Sequence, residues 1–174
     1  MMPTLAFILS ILGLLAAITP NLLKGKNLKL ILVFLVGANL LYAFSYLAEG
    51  KGINGSAAGF LGAVIAGVNF IFESKGKPIP KWLVVIYFAV AITLQLLVAE
   101  ITCLTAIIVA AVAAFLMGVL QPNGKMYRIW ALLNILLWVL YDILTQSYAL
   151  LPMHSIQTIT VVVGMIVHDR KKSS

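Results

Sequence analysis

Seven apolar segments, each close to twenty residues long, govern what this chain can become. They run roughly Pro3–Leu23, Leu30–Ala48, Ile53–Phe72, Trp82–Ala99, Ile101–Leu120, Ile129–Leu144 and Ala149–Val167. A helix needs about 20 apolar residues to cross a hydrocarbon core ~30 Å thick. The fourth and fifth segments run together, because Leu83 to Leu120 is almost continuously apolar. One helix of that length would reach about 57 Å, far beyond the core. Two helices with a tight turn at Glu100 are expected instead. The composition agrees, at 63% hydrophobic and 10% charged. Soluble domains run near ~45–50% apolar and about 25% charged. The first segment, MMPTLAFILSILGLLAA, has no basic residue before its apolar run, so it reads as a first spanning helix and not as a signal peptide.

The charges sort by gap. Lys24, Lys26 and Lys29 follow the first segment, and Lys75, Lys77 and Lys81 follow the third. Lys125 and Arg128 follow the fifth, and Arg170, Lys171 and Lys172 close the chain. With seven spans, these eleven of the twelve basic residues fall on one side, and Lys51 alone falls on the other, with Glu49 and Glu100. The positive-inside rule then places the C-terminal tail in the cytoplasm and the N-terminus outside. Topology accounts for the net charge of +7, so nucleic acid is not expected as a partner. The bilayer and a small-molecule solute are, and a homo-oligomer is left open.

The first three and last three segments share length and orientation if the fourth is a linker. Asn39 and Tyr46 recur as Asn134 and Tyr141, an offset of 95 for both pairs. The same offset links Lys75 to Arg170 and Lys77 to Lys172. Pro20-Asn21 near the end of helix 1 is echoed by Pro122-Asn123 after helix 5. Parallel repeats related by an axis along the membrane normal are a known transporter plan. The expected fold is therefore all-α, with seven transmembrane helices in a 3+1+3 arrangement. Residues 1–77 form one triple-helix bundle, 78–99 the linker helix, and 100–174 the second bundle with its basic tail.

The stretches NLLYAFSYLAEGKGINGSAAGF and RIWALLNILLWVLYDILTQSYALLPMHS resemble the YgjV-type bacterial inner-membrane proteins. That family is distantly similar to the SWEET, SemiSWEET and PQ-loop transporters and to the PnuC vitamin transporters. The resemblance implies two triple-helix bundles joined by helix 4, a solute path between them, and a bacterial inner-membrane location. The chain departs from the relatives at two places. Pro-Asn stands where PQ-loop proteins carry Pro-Gln, and helices 2 and 6 lack the prolines of the SWEET sugar transporters. Those departures argue against a sugar cargo and a proline hinge.

The segment NILLWVLYD places Asn134, Trp138 and Asp142 at i, i+4 and i+8 on one helix face, with Tyr141 beside it. Polar groups in lipid are costly unless they face protein or a water-filled cavity. Asn39 and Asn134 fall near the midplane, where amides either grip a polar solute or join helices. Tyr42, Tyr46, Trp138 and Tyr141 either stack on a flat or cationic solute or form an interfacial belt. Asp142 either couples a cation or proton to transport or sits hydrated near a helix end. His154 either pairs with Asp142 or is an interfacial polar residue. Gln157 in helix 7 is a further solute contact. Asn69, nearer the cytoplasm, is a gate candidate, as are Pro20 and Pro122. Gln95 in the linker reads as structural, and the glycines Gly55, Gly59, Gly62 and Gly67 as close helix packing.

No phosphate-binding glycine loop, HExxH motif or nucleophile–base pair occurs in the sequence. The single Cys103 excludes an internal disulfide and a cysteine metal cluster. Neither an enzyme nor a cofactor or metal is expected. The reading favoured by the residues is a transporter for a small polar or aromatic metabolite. The alternative is a non-transporting assembly or receptor-like membrane protein.

Overall fold

The computed structural model describes residues 3–22, 28–98, 102–121 and 124–169. These residues form seven helices: α1 (Pro3–Leu22), α2 (Leu28–Glu49), α3 (Ile53–Ser74), α4 (Lys81–Val98), α5 (Cys103–Val119), α6 (Gly124–Thr145) and α7 (Leu151–Asp169). No strand occurs among the described residues. Helices are the expected outcome, because a chain in lipid must satisfy its backbone groups within each segment. Six of the seven are long and apolar enough to cross a membrane. The seventh, α5, is apolar but has 17 residues, about 26 Å at ~1.5 Å per residue. The long apolar run from Leu83 is thus two helices, while its expected turn at Glu100 lies outside the described residues.

The surface inverts that of a water-soluble protein. Leu15, Phe44, Val64, Leu97, Leu136 and Ile159, from six different helices, are all exposed. Asp142, Asn69, Gln95 and Arg128 are buried. Soluble proteins almost never bury such groups while exposing a continuous apolar coat. The chain is a helical membrane protein by this criterion.

α1 packs on α2 and α7, α2 on α3, α3 on α5, α5 on α6, and α6 on α7. Six helices therefore close a ring, and α4 leans on it through α3 and α5. Only Tyr87, Ala91 and Gln95 of α4 are buried, as suits a peripheral helix. Gln95 is structural, its Nε2 donating to the Asn54 carbonyl of α3 at 3.2 Å. One end of the ring gathers the C-termini of α2 and α6 and the N-termini of α3 and α7; it is called the Tyr46 end below. The opposite end carries Lys75, where α3 finishes, and Lys125, where α6 starts. Lys125 and Arg128, expected in a gap, lie in the first turns of α6. Arg128 is buried and forms a two-pronged ion pair with Asp169 of α7.

Turn chemistry sets the Tyr46 end. α2 and α3 are joined by three residues in which Gly50 and Gly52 have φ of 69° and 66°, open to glycine at no steric cost. A Cβ on Gly52 would also lie 2.6 Å from the Tyr141 hydroxyl. α6 ends with Gln146 at φ 55°, and Ser147 N–H donates back to the Asp142 carbonyl at 2.9 Å. That pattern is a Schellman cap with glutamine where glycine is usual.

Candidate functional site

A cavity lies at the centre of the ring, and all six ring helices contribute to its wall. α1 supplies Ala17, α3 supplies Gly55 and Gly59, and α5 supplies Phe115. The polar and aromatic wall comes from α2 (Asn39, Tyr42, Tyr46), α6 (Asn134, Trp138) and α7 (His154, Gln157). α4 contributes nothing. The space open to the centres of water-sized molecules is about 50 Å³, room for roughly four waters at ~10–15 Å³ each. Two smaller cavities continue it. One is walled by Asn39, Gly62, Val112, Asn134 and Trp138. The other runs along Asn134 and Gln157 to Gly118, Tyr127 and Ala131, towards the Lys75 end.

The two asparagines use their amides in similar ways. Asn39 Nδ2 donates to the Leu35 carbonyl of its own helix at 2.8 Å. Asn134 Nδ2 donates across to the Ala111 carbonyl of α5 at 2.7 Å. A carbonyl only accepts, so each amide nitrogen must face it and each Oδ1 is turned away. Neither Oδ1 has a hydrogen-bond partner among the described residues. Asn134 therefore joins helices with one atom and presents an acceptor with the other. Gly62 makes room for Asn39, since a Cβ there would lie 2.7 Å from its Oδ1.

Towards the Tyr46 end the wall becomes a cluster of rings around a buried carboxylate. Asp142 is wholly inaccessible to solvent, so it is not the hydrated helix-end acid that its position in the sequence allows. Its Oδ1 accepts from the Tyr46 hydroxyl at 2.5 Å, and its Oδ2 lies 2.6 Å from His154 Nδ1. Trp138 stacks on the His154 ring at 6.0 Å, and Tyr42 meets its edge at 4.9 Å. Tyr46 and Tyr141 meet edge to face at 5.8 Å. Both tyrosines are buried, so neither belongs to an interfacial belt. Tyr141 accepts the Gly55 N–H at 3.1 Å, capping one of the free amides that open α3. Gln157 Oε1 accepts a long hydrogen bond of 3.4 Å from Tyr42.

These contacts link α2 and α3 to α6 and α7 at one end only. Lys51 Nζ donates to the Gln146 carbonyl at 2.9 Å and lies over the Tyr148 ring. Glu49 accepts the Ala149 N–H at 3.2 Å. At the Lys75 end, α2, α3 and α5 meet in an apolar cluster, Leu32, Ala66 and Val119 with Phe70 and Phe115.

All five expected solute contacts, Asn39, Tyr42, Asn134, Trp138 and Gln157, line the same cavity. Of the expected gate or coupling residues, His154 lines the same cavity and Asp142 lies directly behind it. The others are elsewhere. Asn69 is buried between α3 and α4, accepting from Tyr87 at 2.9 Å. Pro20 is buried in the last turn of α1, off the cavity. Pro122 lies outside the described residues. Sequence reasoning missed the Arg128–Asp169 pair, because Arg128 reads as one more basic gap residue. No group of three His, Cys, Asp or Glu side chains that could hold a metal occurs among the described residues.

No family model matches the chain, and neither a curated protein nor a solved structure matches it.

Proposed function

We propose that this chain is a multi-pass transporter that moves a small polar or aromatic metabolite by alternating access. In this reading α1–α3 and α5–α7 are the two moving halves, α4 links them, and the chain belongs with the YgjV-type inner-membrane proteins that its sequence resembles. The basic residues orient it with the Lys75 end in the cytoplasm. The observation that carries the proposal is the central cavity, walled by all six ring helices and furnished with unpaired amide oxygens and aromatic rings. Substrate sites of repeat-built transporters lie at such midplane interfaces. Polar bonds close the Tyr46 end while smaller cavities lead towards the other. The described state is thus shut on one side, with only enough central space for a few waters.

Uptake into proteoliposomes from a mixed pool of polar and aromatic metabolites tests this. Wild-type protein accumulates at least one solute, and Asn39→Leu or Asn134→Leu abolishes that uptake. No solute with this dependence means the proposal fails. The bond from Asn134 to the Ala111 carbonyl favours a second reading, a non-transporting membrane assembly protein in which the amide serves packing. That reading predicts no uptake and stability effects alone.

A further inference from the structure

We infer that the cavity binds a small organic ammonium ion in exchange for one proton held by the Asp142–His154 pair. The inference rests on the transporter reading for its purpose and adds the solute class and the coupling. It begins with the charge of the walls. The amide oxygens of Asn39 and Asn134 can only accept. The faces of Tyr42, Tyr46 and Trp138 are electron-rich and attract cations, quaternary ammonium groups among them. Among the described residues no lysine or arginine lines the cavity. Arg128 is taken up by Asp169 near the opposite end. An anion thus meets no fixed cation among the described lining residues, only the proton that Asp142 already shares with His154, while ammonium groups meet several acceptors.

Asp142 supplies the second step. A fully buried carboxylate requires a compensating positive charge. Tyr46 gives it a neutral hydroxyl, and the group at its other oxygen is His154. In the proposed resting state His154 is a histidinium whose proton balances Asp142 while the cavity holds no cation. The His154 ring also forms part of the cavity wall, and its Nε2 has no hydrogen-bond partner among the described residues. An ammonium ion against Trp138 and Tyr42 would sit beside that histidinium, and two like charges in a water-poor site exclude each other. The Nε2–H bond then breaks, its electron pair stays on the ring, and the proton leaves through cavity water to the bulk. Neutral His154 keeps its Nδ1–H on Asp142 and turns a lone pair to the cavity. One positive charge accompanies Asp142 before and after, so one cation enters for each proton released.

Other titratable groups do not supply this charge. Tyr42 and Tyr46 of α2 and Tyr141 of α6 face the pair as neutral phenols. α1 has no titratable side chain, α3 has only Glu73 at its far end, and α5 has only the exposed Cys103. Glu49 and Lys51 are engaged with Ala149 N–H and the Gln146 carbonyl.

Choline is the probe, because it is permanently charged and carries no exchangeable proton. Purified full-length protein in detergent, in weak buffer near pH ~6.5 where histidine ordinarily titrates, receives choline chloride with a pH-indicator dye present. Saturable release approaching one proton per chain is expected, with none from sodium chloride. Calorimetry in two buffers of different ionisation enthalpy reads the same proton without any variant. Because proton and cation compete for the same pair, choline affinity falls as the medium is made more acid. Asp142→Asn removes the carboxylate that the cation would accompany, so it loses choline binding more than tenfold and releases no proton. Wild type that binds choline with no proton released overturns the exchange. Wild type with no saturable binding up to about 10 mM overturns the solute class. Asn39-dependent uptake of a neutral solute, with no choline-driven proton release, overturns this inference and leaves the transporter reading intact. Proton release without flux in liposomes does the reverse.

Discussion

Tyr46→Phe removes one oxygen atom and tests whether the Tyr46 end is a gate. The lost bond is a 2.5 Å donation to a buried carboxylate, spanning α2 and α6. Hydrogen bonds to charged groups contribute about 1.5–3 kcal/mol, while those measured between membrane helices average about 0.6 and reach about 1.7 kcal/mol. The upper membrane value fits a short, charge-assisted bond with no water to replace it. If the bond holds the two halves together, about 1.7 kcal/mol shifts the closed-to-open ratio by roughly 15- to 20-fold. A reporter is available because Ala38 lines the cavity and is 3% exposed. In a Cys103→Ser background, Ala38→Cys is labelled with an impermeant thiol reagent from each membrane face in turn. Tyr46→Phe is expected to raise labelling from the Tyr46 face by about that factor and to lower it from the other. Tyr87→Phe is the control, since it removes a 2.9 Å bond that joins α3 to α4 and not the two halves. Equal losses of thermal stability in both variants, with no change in labelling rate, refute the gate.

Asn134→Leu should lower thermal stability in detergent by about 1 kcal/mol because it breaks a bond to α5, whereas Asn39→Leu, whose bond is within its own helix, should cost close to nothing. Gly62→Ala is expected to destabilise by about 1–3 kcal/mol, because its Cβ would lie 2.7 Å from Asn39 Oδ1. Gly37→Ala, with nothing within 4 Å, should stabilise α2 by about 0.5–1 kcal/mol in the same melting assay. Arg128→Met or Asp169→Leu alone should cost about 1.5–3 kcal/mol, and the double variant should recover part of it, as a double-mutant cycle in denaturant would read.

The sequence announces most of the fold because lipid imposes one length and one kind of segment on every crossing. α4 and α5 were separable by length alone. The amides were legible for a related reason: Asn39 and Asn134 are conspicuous in apolar helices, and their matched depth places them together. The partners of Asp142 were less so. Tyr46 lies 96 residues away, and whether the two meet depends on how α2 and α6 rotate about their axes, which hydropathy does not specify. Helix-end position suggested a hydrated Asp142 and belt tyrosines, yet ring closure by α1 against α7 and α3 against α5 buries them. Arg128 was misread because a positive charge beside a span looks alike whether it faces water or folds back onto Asp169.

The offset of 95 residues gives a physical reason why the two sides of the cavity differ. Subtracting it from Asp142, His154 and Gln157 gives Leu47, Gly59 and Gly62. α7 thus carries His154 and Gln157 where the same offset finds Gly59 and Gly62 on α3. Those glycines are occupied space: a Cβ on Gly59 would lie 2.9 Å from Ala43, and one on Gly62 would press on Asn39. α3 therefore lets α2 approach closely enough for Tyr42 and Tyr46 to reach Gln157 and Asp142 across the cavity. Tyr46 and Tyr141, 95 residues apart, part company in their bonding. The first meets a carboxylate and donates, while the second meets the free amide of Gly55 and accepts. Enlarging Gly59 should then disturb the polar wall as much as removing a residue from it.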